Sequence, residues 1–230
     1  MFLKVTYYLI GLFLLALGIT FTLISDLGAG GWDALVENLY KLTDIKVGNW
    51  LIIIAFILLI VAAILKKEFL NYKAFIVSVI LGKLIDFCYY PLIQVLKSES
   101  FIIKFFTLFT GLILVGIGCA MMFVTKLPKN HTETFVFSIA DTTEISYRKI
   151  KTAADVSALI IALVIGFRLK DFSNLGVGTI LSSFFMGSII HYMMPLARNG
   201  LHYPKKITLN ANIESFCKKT WNKKYIKLQK

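Results

Sequence analysis

The chain is short of what a water-soluble domain displays on its surface. Charged residues make up 17% of its 230 residues and apolar residues 57%, whereas soluble domains run nearer about a quarter and a half. Acidic residues are scarcer still, 13 against 25 Lys and Arg. The three cysteines, Cys88, Cys119 and Cys217, stand apart from one another and lack metal-ligand spacing, which argues against a disulfide framework or a zinc site. GAGG at 28–31 lacks the Gly-Lys-Ser/Thr ending of a phosphate loop, and no metal-hydrolase or nucleophile-elbow pattern occurs. No enzyme activity, cofactor or metal is expected. The formal charge of +12 is carried by no nucleic-acid module, so nucleic acid is not an expected partner.

What the chain has instead is long apolar runs. About 20 such residues cross a bilayer, and six stretches qualify, at 5–24, 49–65, 73–96, 101–125, 152–167 and 175–196. The first exceeds the roughly 7–15 residues of a secretory signal core and is expected to be retained. The fold class is therefore all-α, a polytopic membrane protein with six transmembrane helices. Pro91 is expected to kink or open the third.

Between the first two runs lies SDLGAGGWDALVENLYKLTDI, residues 25–45. Its glycines make a turn, and 32–42 then shows helical spacing of apolar residues over a length too short to span. A re-entrant or interfacial helix is expected, with Asp33 capping its start. A second short segment, 132–140, sits inside the polar stretch 126–151.

A repeat accounts for the pair. At an offset of one hundred, Gly11, Leu12, Leu14 and Gly18 match Gly111, Leu112, Leu114 and Gly118, and Leu27, Val36, Thr43 and Ile45 match Leu127, Val136, Thr143 and Ile145. Beyond a five-residue insertion Gly82 pairs with Gly187 and Asp86 with His191. Three spans per copy give two inverted three-helix repeats, 1–98 and 99–197, each with its short helix. Such plans recur in secondary transporters, with the site at the repeat interface, but they also survive as mere scaffolds of gene duplication. The charge bias sets orientation. Eighteen Lys and Arg fall on the side of the N-terminus and tail and six on the other, so both ends are expected in the cytoplasm and the chain in the plasma membrane. In the tail, 198–230, Ile213, Phe216, Trp221, Tyr225 and Leu228 form one stripe among lysines. This suits a helix on anionic lipids or a disordered basic segment that fixes topology.

The residues at 26–28, Asp-Leu-Gly, then Trp32-Asp33, Gly48 and the Gly-x3-Asp of Gly82 and Asp86 resemble the YczE/YyaS-type bacterial membrane proteins, which are similar in turn to the YitT-like group. Gly31 stands where that pattern has Pro. The resemblance covers about residues 5–197 and implies a six-helix inner-membrane protein with no agreed activity.

Candidate site residues follow from the cost of charge in a membrane. Asp86 could bind a proton, cation or amine, with Lys83 one turn earlier modulating it, or the two could be a structural ion pair. His191, opposite Asp86 in the repeat, could share a proton or be hydrogen-bonded structure. Asp26, Asp33 and Trp32, with Gly28, Gly30 and Gly31, frame a turn that could take an anion on bare amides, a cation between the carboxylates, or nothing. Trp32 and Trp50 read most simply as interfacial belt residues, and Asp155 as a first-turn acid favoured by the helix dipole. The leading reading is a secondary carrier or exporter of a small molecule, with a cavity lined by spans 1, 3, 4 and 6. The alternatives are a scaffold or assembly factor, and a substrate-binding subunit of a larger transporter. The bilayer, anionic lipids at the tail and a small-molecule substrate are the expected partners, and a homodimer is a candidate assembly.

Overall fold

A computed structural model of the chain describes residues 2–28, 30–143, 145, 147–171 and 176–200. Its regular elements are eight helices: α1 (Phe2–Ile24), α2 (Gly31–Thr43), α3 (Val47–Lys66), α4 (Tyr72–Leu96), α5 (Phe101–Thr125), α6 (His131–Thr143), α7 (Tyr147–Leu169) and α8 (Val177–Gly200). Among the described residues, five are long and apolar enough to cross a membrane: α1, α3, α4, α5 and, from Lys149, α7. At about 1.5 Å per residue, the 23 residues of α1 reach about 35 Å, past a hydrocarbon core of about 30 Å. The expected tail helix, 201–230, lies outside the described residues.

Polar residues set the ends of these helices. α1 and α5 stop in the same way. Ser25 Oγ donates to the Thr22 carbonyl at 2.7 Å and accepts from Leu27 N–H at 3.4 Å. Thr125 Oγ1 donates to the Met122 carbonyl at 2.7 Å and accepts from Leu127 N–H at 3.4 Å. The next residues, Asp26 (φ 50°) and Lys126 (φ 60°), are left-handed, the conformation that commonly ends a helix. Some boundaries differ from the sequence reading. α7 begins at Tyr147 rather than near 152, because Lys149 and Lys151 continue the helix instead of belonging to a loop. α4 runs through Pro91 to Leu96 without a break.

α1 and α5 cross at the centre, where glycines bring the backbones together. A Cβ on Gly18 would lie 2.5 Å from Val115 N, and one on Gly111 2.9 Å from the Gly18 carbonyl. α4 packs on α1 and α8 on α5. Each short helix crosses over: α2 lies along α7, and α6 along α3. The outer faces are apolar, with Phe87, Phe106 and Phe167 all exposed. Such a band is a liability in water but matches acyl chains, which are as apolar as leucine.

Candidate functional site

The glycine turn before α2 serves backbone packing. Gly28 has φ +109°, and a Cβ there would lie 2.6 Å from both Gly176 N and Thr179 Oγ1 at the start of α8. The Leu27 carbonyl accepts from Gly178 N–H at 2.8 Å. Gly30 is the N-cap of α2, without a side-chain cap. A Cβ on Gly31 would overlap the Asp155 carbonyl, so only glycine lets the start of α2 dock on α7. Asp33 is therefore not the cap expected from the sequence. It is the third residue of the helix, with Oδ2 reaching back to within 2.9 Å of where a Gly30 Cβ would be.

This docking gathers a set of ionisable side chains in the interior. Lys151 Nζ of α7 lies 3.3 Å from Glu133 Oε1 of α6 and 3.3 Å from Asp155 Oδ1, one turn along its own helix. The three side chains are 16%, 4% and 9% exposed. Asp33 adds a third carboxylate, within electrostatic reach of both Lys151 and Asp155. Burial pushes the Asp33 carboxyl up to about 7, with Lys151 opposing and Asp155 reinforcing. Burial and a like-charge neighbour both disfavour the charged form of a carboxyl, so Asp33 exchanges its proton near neutral pH. Trp32 Nε1 and Asp155 Oδ1 are both buried, and the Asp155 carboxylate interacts with both the Lys151 ammonium and the Trp32 indole N–H. Trp32 thus packs, partly buried, against the core of the bundle. Asp155 lies in the third turn of α7, too far in to be the first-turn acid anticipated.

The N-terminus of α6 closes the cluster from the other half of the chain. Asn130 Oδ1 accepts from Glu133 N–H at 3.0 Å, a side-chain cap that α2 lacks. His131 N–H donates to Ser78 Oγ at 3.1 Å, and its Nδ1 lies 2.9 Å from the same oxygen. The Ser78 hydroxyl donates to the Ala74 carbonyl, which assigns the imidazole proton to Nδ1. Burial, with Lys151 adding to it, pulls His131 down to about 3, so it is neutral. Lys129 sits over the rings of Phe137 (3.2 Å) and Phe123 (5.6 Å). Burial lowers its amine to about 8, against the pull of Glu133 and Asp141.

The residues singled out from sequence are dispersed. Asp86 Oδ1 accepts from Gly48 N–H at 2.8 Å, holding the first turn of α3. A Cβ on Gly48 would overlap the Gly82 carbonyl, so Gly48, Gly82 and Asp86 form one helix-docking device. Lys83 does not pair with Asp86; its amine donates to Asn49 Oδ1 at 2.8 Å. Asp26 lies 3.8 Å from Lys104 Nζ. The side chain of His191 lies outside the described residues. Asp33, Trp32 and Asp155 face the buried cluster, with Gly31 docked on the Asp155 backbone, and Glu133 and Lys151 were missed. Their signal was available, since Glu133 stands one hundred residues after Asp33, and Lys151 and Asp155 share one helix face. Among the described residues, no three His, Cys, Asp or Glu side chains are placed to hold a metal ion.

Comparison with known proteins places the chain among uncharacterized bacterial relatives. The model of a family of unknown function, DUF6198, matches residues 2–195. The chain is 32% identical over 193 residues to the uncharacterized protein YyaS of Bacillus subtilis (strain 168), covering 84% of this chain and 93% of that one. It is 25% identical over 202 residues to the uncharacterized membrane protein YczE of the same organism, covering 87% and 90%. No solved structure matches.

Proposed function

The chain belongs to DUF6198, a family of unknown function, and we propose that it is a multi-pass membrane protein that works as a secondary carrier or exporter of a small molecule, built from two inverted halves, 1–98 and 99–197. The observation that carries this reading is the buried cluster of Asp33, Glu133, Lys151 and Asp155, contributed by both halves where the two short helices begin. Ionisable groups held inside a membrane protein are costly and mark ion or substrate paths. Short helices that start within the bundle are the recurrent way to build such a site.

The duplicated plan is supported by geometry. α2 and α6 are each 13 residues long and start one hundred apart, as do α3 and α7. The helix-ending hydroxyls of Ser25 and Thr125 and the left-handed residues after them keep the same spacing. Exchanging the first four helices for the last four maps α2 on α7 onto α6 on α3, and α1 on α4 onto α5 on α8. In this reading the α1–α5 crossing is the axis about which the halves rock.

Charge displacement on a solid-supported membrane tests the proposal. Proteoliposomes of the full chain are challenged with a panel of amines, amino acids and carboxylates. At least one solute is expected to give a saturable transient current that Asp155→Asn abolishes. Absence of any solute-dependent current, or currents unchanged in Asp155→Asn, would sink it.

A further inference from the structure

The buried cluster lies between two ion pairs that tie the halves of the chain together. Lys41, in the last turn of α2, lies 2.8 Å from Asp171, just past the end of α7. Lys66, the last residue of α3, lies 2.8 Å from Asp141 in the last turn of α6. α2 and α3 belong to the first half and α6 and α7 to the second, so each pair spans the boundary. Each also fastens the end of a short helix whose start reaches the cluster, through Asp33 in α2 and Glu133 in α6.

The two pairs stand on opposite faces of the bundle. α2 leads directly into the start of α3, and Lys66 closes its far end. The 20 residues of α3 separate these ends by about 30 Å, the thickness of the hydrocarbon core. Positions 41 and 141 are one hundred residues apart, as are 33 and 133, yet the signs of the pairs are exchanged. The short helix supplies the ammonium on one face and the carboxylate on the other. The link recurs in both halves although the residue types do not.

Two further details suit links that break and re-form. All four side chains are part-exposed, between 26% and 40%, and ion pairs in contact with water hold only weakly. The seams beneath the two pairs also differ. Asn38 Nδ2 of α2, buried, donates to the Ala162 carbonyl of α7 at 2.8 Å. One hundred residues on, Ser138 Oγ donates instead to the Thr134 carbonyl of its own helix at 2.8 Å, so Ser138 does not repeat that tie across the α6–α3 seam. That seam is the easier of the two to part.

We propose that Lys41–Asp171 and Lys66–Asp141 are the two latches of an alternating-access cycle, each closing one membrane face of the path to the buried cluster. With both formed, as in this structure, the cluster is sealed from both sides, and opening either latch exposes it to one. The latches regulate access to the site of the carrier reading and rest on that reading, but exposure can be measured without transport.

Cys119 of α5 reports that exposure, being 5% exposed and within electrostatic reach of Asp33, Glu133 and Lys151. In the full chain carrying Cys88→Ser and Cys217→Ser it is the only cysteine. A small membrane-impermeant methanethiosulfonate is applied to right-side-out and to inside-out membrane vesicles, and labelling is followed over time. This background should label slowly from either face. Asp141→Ala should label about two- to fivefold faster, the worth of an exposed ion pair, and from one face only. Asp171→Ala, which leaves Lys41 on Glu37, should label faster from the opposite face only, and by a smaller factor. Lys66→Gln breaks the same pair as Asp141→Ala from the other partner and should match it; Asp141→Glu can remake the pair and should match the background. Unchanged labelling in the two alanine variants, or faster labelling that is not confined to opposite faces, overturns the proposal. Opposite-face labelling without any solute current sinks only the carrier reading; solute currents with Cys119 labelling unchanged in every variant sink only the latches.

Discussion

At the scale of single residues, Lys151 is the group on which the others depend. Its ammonium lies 3.3 Å from both Glu133 and Asp155, and its side chain is only 16% exposed. Deleting one partner of a buried ion pair leaves the other uncompensated and typically costs about 3 to 5 kcal/mol. Lys151→Met is therefore expected to lower the thermal midpoint of the purified protein sharply, measured as detergent-solubilised monomer remaining after heating. Lys151→Arg keeps the charge and should recover much of the loss. A Met variant as stable as the wild type would show that the cluster is solvated in the membrane. The cluster itself was only half legible. Asp33 and Trp32 stood out because they flank glycines, whereas Lys151 looked like one more basic loop residue. Its burial follows from α6 docking beside α7, a tertiary contact that no local pattern announces.

At the scale of elements, the glycines separate into those that permit docking and those that do not. Gly31 meets the Asp155 carbonyl, and Gly48 meets the Gly82 carbonyl; a methyl group at either must push a helix away. Gly187, the partner of Gly82 in the repeat, has open space for 4 Å around the place a Cβ would take. Gly31→Ala is expected to destabilise by about 1 to 3 kcal/mol through overpacking and to weaken ligand binding, because it displaces the α2 start that carries Trp32 and Asp33. Gly187→Ala in the interior of α8 should instead be neutral or stabilising, by up to about 1 kcal/mol of helix propensity. Heating both variants alongside the wild type checks the contrast, and equal destabilisation would contradict it. The short helices were readable because their apolar spacing is local: 32–42 against an observed Gly31–Thr43, and 132–140 against His131–Thr143. The start of α7 was not, since Lys149 and Lys151 resemble loop residues until an acidic partner is seen across the bundle.

At the scale of the whole molecule, the two halves are alike in backbone and unlike in chemistry. At the offset of one hundred, Lys151 and Asp155 of α7 correspond to Leu51 and Ala55 of α3, both buried in the apolar core. The proposed carrier would use such asymmetry, since it leaves one ionisable cluster rather than two. It also needs the halves to point in opposite directions, which the charge bias favours even with Lys151 moved from loop to interior. In the proposed orientation the loop 67–71 and the loop after α6 would face the cytoplasm, and the loops after α4 and α7 would face outward. Single cysteines on a background with Cys88, Cys119 and Cys217 replaced by serine test this in intact cells. Ser98→Cys and Lys170→Cys should react with an impermeant maleimide added outside, and Glu68→Cys and Thr142→Cys only after the membrane is opened. Labelling of Ser98 and Lys170 from opposite sides would mean an odd number of crossings between α4 and α7, and the two halves could not then be inverted copies rocking about the α1–α5 axis.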